Sequence, residues 1–166
     1  HRHPQQMLRL DQESTTPITP DQQSSLLAYI QKQLPTCAAL ALEDYNKGLL
    51  TPDFCQKIIT LARSLNKPVL VDPALLSDYS KYDGASTITP TRLEAEKASG
   101  QSISDSSDAA PLLAKTLLEK HHLQTVLLTL DRQGMYLLER EQPPRAPHGN
   151  AVVPPNQSDV SSAVGT

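Results

Sequence analysis

Aromatic side chains are scarce in this 166-residue chain: they make up 4%, with one Phe and no Trp. A core must therefore be built from Leu, Ile, Val and Ala. Hydrophobic residues reach 38%, below the roughly 45–50% of an average globular domain. The length still allows one domain with a sizeable core. No Lys/Arg run stands out against a net charge of −3, so no nucleic-acid partner is expected. No apolar stretch approaches the roughly 20 residues that cross a bilayer, so no membrane partner is expected either. No charged-then-apolar leader opens the chain, and a cytoplasmic location is expected. The two cysteines, Cys37 and Cys55, fit no metal or disulfide framework. Both are expected to be reduced and buried. His1 with His3, and His121 with His122, lack further ligands at metal-site spacing, so no metal is expected through His or Cys. Ser161-Ser162 has no G-x-S-x-G frame and does not read as a nucleophile elbow. There is no internal repeat.

What is present is an alternation of short apolar runs and amphipathic stretches. Residues 5–11 (QQMLRLD) alternate in part and predict a strand. Thr19-Pro20-Asp21-Gln22 is a helix start, with a capping Thr, Pro at the first position and Gln closing a capping box. That helix is expected to end near Leu34, before Pro35. Residues 37–42 (CAALAL) form an apolar run without alternation, as in a parallel strand buried on both faces. A polar loop follows, then a helix opening at Thr51-Pro52-Asp53. Its core stripe is Phe54, Ile58, Leu61, Ala62 and Leu65. Residues 68–71 (PVLV) read as a second buried strand ending at Asp72-Pro73, and residues 87–89 as a third. Pro90 opens a helix that Gly100 ends. A helix over 108–120 presents Leu112, Leu113 and Leu117. Residues 126–130 (VLLTL) read as a strand that pairs, across a turn, with residues 134–138 (GMYLL). Five prolines between 139 and 155 mark an exposed connection.

Strands alternating with helices predict a parallel α/β sheet. Ligands of such sheets sit beyond the carboxyl ends of the strands. Asp44, Asp72, the segment from Thr89 to Glu94, and Thr129 fall at those ends.

Five collinear segments carry a resemblance: RHPQQMLRLD (2–11), DYNKG (44–48), VDP (71–73), TPTRLE (89–94) and TLDRQGM (129–135). Together they resemble the kinase domain of the bacterial heptose 7-phosphate kinases, the kinase half of ADP-heptose synthase, within the ribokinase-like carbohydrate kinases. The resemblance implies a ribokinase-like three-layer α/β sandwich with a mainly parallel sheet. The chain, which starts on His and stops within the last motif, is expected to be a central-to-C-terminal part of one such domain. The implied reaction is ATP-dependent phosphorylation of D-glycero-D-manno-heptose 7-phosphate at its anomeric hydroxyl, toward ADP-heptose for lipopolysaccharide. The implied cofactors are ATP and Mg2+, and a homodimer is expected.

The resemblance also assigns residues. The family's Asp-x-Thr-Gly-Ala-Gly-Asp-Thr motif aligns with residues 159–166 (DVSSAVGT). Asp159, Ala163 and Thr166 match. Ser162 and Val164 replace the two glycines of the anion hole, and Gly165 stands where the catalytic Asp is expected. Gly165 has no side chain to accept a proton, and Asp159 lies about a helical turn earlier. Losing a general base typically costs about 10²–10⁴-fold in rate, and Val164 resists the backbone angles a phosphate loop needs. In TPTRLE, Glu94 matches the residue that organises magnesium and phosphate, and Thr91 replaces the usual Asn. Its structural alternative is a first-turn carboxylate favoured by the helix dipole. Thr129 and Gly134 fall on the nucleotide side, beside Met135. After Asp72-Pro73, Ala74-Leu75 replaces the usual Lys-Gly. Arg2, Arg9, Asp11, Asp44 and Lys47 are implied on the sugar-phosphate side, Arg by its fork geometry. Edge-strand and turn roles remain open for these five. Loss of the Asp, both glycines, the Asn and the Lys also leaves open a kinase-like binding or scaffold protein.

Overall fold

The computed structural model describes residues 8, 10, 12–102 and 109–141. Its elements, in chain order, are α1 (Pro20–Gln33), β1 (Leu40–Glu43), α2 (Pro52–Ser64), β2 (Val69–Asp72), β3 (Thr87–Ile88), α3 (Arg92–Ser99), α4 (Ala109–Lys120), β4 (Thr125–Thr129) and β5 (Met135–Glu139). Short 3-10 turns lie at Leu34–Thr36, Ser80–Tyr82 and Asp131–Gln133. No described helix is long and apolar enough to cross a membrane.

Helix starts follow local chemistry. Thr19 accepts from the Gln22 N–H while the Gln22 side chain accepts from the Thr19 N–H, a complete capping box. Thr51 caps α2 by accepting from the Phe54 N–H. Helix α3 begins two residues later than the Pro90 start expected, at Arg92, because Thr91 is its N-cap. Gly100 ends it in the left-handed conformation.

The sheet order is β1-β2-β3-β4-β5. The first four strands run parallel, and β5 pairs antiparallel with β4. Along β1 to β4 the chain always steps the same way. Right-handed crossovers taken in one direction put every connection on one face. Burial agrees. Leu42, Val69, Val71, Ile88, Val126 and Leu128 face a single core with Phe54, Ile58, Ile59 and Ala62 of α2, Ala95 of α3, and Leu113 and Leu117 of α4. No α-helix lies between β2 and β3, only the 3-10 turn at Ser80–Tyr82. Tyr79 and Tyr82 of that connection are fully buried and stack edge to face, centroids 5.3 Å apart, in place of a helix. Buried His121, just after α4, fixes the connection from below: its Nδ1 lies 2.7 Å from Asp83 Oδ1.

Several expectations are corrected. The strands do not have two buried faces among the described residues. The opposite face carries Glu43, Leu70, Asp72, Met135 and Leu137, with Leu70 41%, Leu137 55% and Met135 67% exposed. The run at 37–42 becomes strand only from Leu40, because residues 37–39 link the 3-10 turn at Leu34–Thr36 to the sheet. Cys37 lies just past that turn and is exposed, whereas Cys55 is buried. Leu112 is exposed, since α4 turns Ala110, Leu113, Ala114, Leu117 and Leu118 inward. Leu8 and Leu10 are exposed and outside any strand; the remainder of the expected first strand, and most of the proline-rich connection, lie outside the described residues.

Burial holds three core groups neutral. It pushes the Cys55 thiol from 9.0 up to about 11. It also raises Tyr79, and it raises Tyr82 together with the hydrogen bond to Asp44. The unfolded chain therefore releases these protons at lower pH than the folded one. Stability is full below the unfolded values and declines as pH rises from about 9. A urea midpoint series across alkaline pH should show that decline, and Cys55→Ala should flatten its earliest part. In the same range, a thiol reagent should label Cys37 at once and Cys55 only on unfolding.

Candidate functional site

The carboxyl ends of β1 to β4 gather on one edge, as the sequence predicts. Neighbouring strands hand over to their loops through backbone bonds: Asp44 N–H to Asp72 O at 3.0 Å, Thr89 N–H to Val71 O at 2.9 Å, and Thr129 N–H to Pro90 O at 3.0 Å. A further parallel bridge joins Thr91 to Thr129. Asp44, Asp72, Thr91 and Thr129 are thus held by the sheet itself.

Thr91 and Glu94 close a capping box. Thr91 Oγ1 accepts from the Glu94 N–H at 3.4 Å, and Glu94 Oε2 accepts from the Thr91 N–H at 2.7 Å. The replacement of Asn by Thr thus keeps a good N-cap. Glu94 is half-buried, with its carboxylate at the positive end of α3. Asp72 lies on the open side of the edge, and its Oδ1 accepts from Thr89 Oγ1 at 3.3 Å. Gly134 adopts φ 87°, ψ −129° in the turn before β5, angles that only glycine takes readily. Arg92 fastens that turn to α3 through Gln133 and lies 3.9 Å from Asp131.

The loop from Asp44 to Leu50 is organised from beneath. Asp44 is buried (8% exposed), and so is Lys81 (7%). Their charged groups form a close ion pair. Asp44 Oδ2 also accepts from Tyr82 Oη at 2.6 Å, and Oδ1 accepts from the Asn46 N–H at 2.7 Å. Lys81 Nζ donates to Leu50 O at 2.9 Å and lies 5.3 Å from the centre of the Tyr82 ring. Asp44 therefore holds its loop, while Lys47 stays half-exposed and pairs with Glu13. Lys81 drew no notice in the sequence. A Lys in a Ser/Asp/Tyr-rich stretch reads as solvated, and only the buried tyrosines on either side could have hinted otherwise.

Two hollows flank this network. One of about 500 Å3 is lined by Glu13, Glu43, Asp44, Tyr45 and Lys47. The other, about 350 Å3, is lined by Asn46, Gly48, Asp78, Ser80 and Lys81. Arg2, Arg9, Asp11, Asp159, Ser162, Ala163, Val164 and Gly165 lie outside the described residues.

Over residues 15–166 the chain matches the pfkB family carbohydrate kinase model. The chain belongs to this family. Among curated pfkB-type relatives, it is 40% identical over 136 residues to the bifunctional protein HldE of Wolinella succinogenes, covering 82% of this chain and 28% of that protein. It is 38% identical over 136 residues to the HldE of Helicobacter pylori, with 82% and 29% covered. The chain thus spans under a third of these relatives. Solved structures share the fold. The crystal structure titled Sa239 gives a TM-score of 0.62 at 18% identity, over 77% of this chain and 40% of that one. Giardia lamblia ribokinase gives 0.58 at 20% identity, over 70% and 37%. The ribokinase-like fold expected from the sequence is therefore present, as part of a domain.

Gly48 tests the loop packing. Its φ is +87°, and a Cβ there would lie 2.5 Å from Thr16 O and 2.8 Å from Thr15 O. Neither backbone atom can yield cheaply. Gly48→Ala should destabilise by at least the roughly 1–2 kcal/mol of a left-handed non-glycine residue, read as a lower urea midpoint. Gly100→Ala, where a Cβ meets nothing within 4 Å, should cost only the conformational part.

Proposed function

We propose that this chain is part of an ATP-dependent kinase that phosphorylates D-glycero-D-manno-heptose 7-phosphate at its anomeric hydroxyl. The observation that carries the reading is the similarity to HldE proteins along more than four-fifths of the chain, joined to a carboxyl strand edge bearing Thr91, Glu94, Thr129 and Asp44. ATP supplies the phosphoryl group when bound. Magnesium prefers hard oxygen ligands and is usually held by one or two carboxylates plus phosphate oxygens. Glu94 and Asp72 are of that type, and Thr91 adds a hydroxyl. Among the described residues no three His, Cys, Asp or Glu side chains gather as a metal cage, and such sites do not require one. In this reading Thr91 and Glu94 hold the magnesium-phosphate side, Thr129 and Gly134 border the nucleotide, and Asp44 and Lys47 border the sugar phosphate. Consuming ATP for ADP-heptose supply fits a cytoplasmic, homodimeric enzyme.

A specific departure favours a second reading. Gly165 replaces the aligned catalytic Asp, with Ser162 and Val164 replacing glycines. A chain so altered would bind its ligands yet transfer phosphoryl groups poorly, as a kinase-like binding protein.

Calorimetry with magnesium-ATP, with and without D-glycero-D-manno-heptose 7-phosphate, separates these from a bare fold. Micromolar binding tightened by the sugar phosphate is expected. No binding at millimolar ATP would sink both readings for this chain. The protein as its gene encodes it should release ADP with this sugar phosphate and not with ribose. Should release be slow, Gly165→Asp with Ser162→Gly and Val164→Gly should raise it by roughly 10²–10⁴-fold; no rise would show that this motif is not the lesion.

A further inference from the structure

Lys81 has no place in the reading above, yet it is the buried cation of the carboxyl edge. It comes from the β2–β3 connection, and it grips both ends of the loop that follows β1. At one end it pairs with Asp44; at the other it donates to Leu50 O at 2.9 Å. Tyr82, under the same cation, donates to Asp44 Oδ2 at 2.6 Å and accepts from the Ala74 N–H at 3.2 Å, just after β2. Two strand ends and one loop are thus tied to a single ammonium group. The tie also divides the two hollows. Leu50 lines both, Asp44 lines the larger and Lys81 the smaller, so the ion pair lies in the wall between them. The larger hollow contains Lys47, held near Glu13.

We propose that Lys81 is a positioning residue that sets affinity for the sugar phosphate by fixing the loop carrying Asp44 and Lys47. The proposal deepens the kinase reading and rests on it. A buried ammonium is suited to this task because moving it would leave the Asp44 carboxylate uncompensated away from water. The loop therefore has one arrangement, and ligand binding need not order it. Thr91 and Glu94 hang from a different strand end, so the effect should fall on the sugar and spare ATP.

The test uses the protein as its gene encodes it. Lys81→Met leaves Asp44 unpaired and can fail to fold. The double variant Asp44→Asn/Lys81→Met removes both charges and is expected to fold. In the folded double variant, KM for D-glycero-D-manno-heptose 7-phosphate should rise roughly 10–100-fold above that of Asp44→Asn alone, in which Lys81 still holds Leu50 O, the scale of a misplaced binding group. KM for ATP should stay unchanged, and Lys81→Arg should recover most of the loss. Amide exchange at Asn46, whose N–H donates to the side chain at 44, should be faster in the double variant than in Asp44→Asn alone, while exchange in α4 is the same in both. An unchanged sugar KM, or equal losses toward sugar and ATP, would overturn the proposal. A wild-type protein inactive on this sugar would instead sink the kinase reading. The Asn46 exchange would then decide by itself, and equal rates in Asp44→Asn and the double variant would refute the positioning role.

Discussion

The order of the parallel strands constrains everything else in this molecule. From β1 to β4 each strand is laid down beside the last, always in the same direction. Since crossovers between parallel strands are right-handed, the connections share one side. The core therefore lies between one sheet face and one helical layer. The same regularity puts all four carboxyl ends on one edge, where the first residues of each loop are held by backbone bonds to the neighbouring strand. Phosphoryl transfer of the kind proposed needs several groups from separate chain segments at one place. A one-directional parallel sheet supplies that placement before any side chain is chosen.

A buried ion pair then refines one corner of the edge. Burial of charge is costly unless geometry and hydrogen bonding are complete. Here the carboxylate meets an ammonium, a phenol and a backbone N–H, and the ammonium meets a carbonyl and an aromatic face. The pair is weak evidence for stability as such, since apolar residues of like volume often do as well. Its distinct consequence is specificity of arrangement: few alternative loop conformations satisfy both charges. The β2–β3 connection gains the most from this. It has no α-helix to order it, and it is anchored instead by Tyr79, Tyr82, Lys81 and the Asp83–His121 contact.

The parts legible in the sequence are those set by local rules. Thr19 with Gln22, Thr51 with Pro52, and Gly100 declare helix ends through bonds made within a few residues. Buried runs such as VLV and VLLT announce strands because they have no polar alternative. The carboxyl-edge positions of Asp44, Asp72 and Thr129 followed from those strands. What was illegible depends on partners distant in the chain. Lys81 is buried because Asp44, 37 positions earlier, reaches it. Leu112 is exposed because the rotation of α4 is set by the sheet, and three leucines cannot all face it. Cys37 is exposed because it lies in the link between a 3-10 turn and β1, outside the strand. The apolar runs also overstated burial, since a strand's composition cannot say whether one face or two are covered among the residues described.

Of the positions that depart from the family pattern, Thr91 and Ala74 belong to the edge and keep it in shape, through the α3 cap and the bond to Tyr82. Among the described residues, the Asp44, Tyr82 and Lys81 network is built from side chains of 44–82. The Thr91–Glu94 box closes within the first turn of α3. Holding a sugar phosphate needs fixed walls and a placed cation. Moving a phosphoryl group needs in addition a base and a close backbone approach to developing charge. In the proposed kinase the first set of demands falls on Asp44, Lys47 and Lys81, whose charged groups are paired, and the second on Gly165, Ser162 and Val164. On that proposal, substitution at the second set raises the barrier to transfer while the paired loop still offers its walls, so affinity and turnover are physically separable.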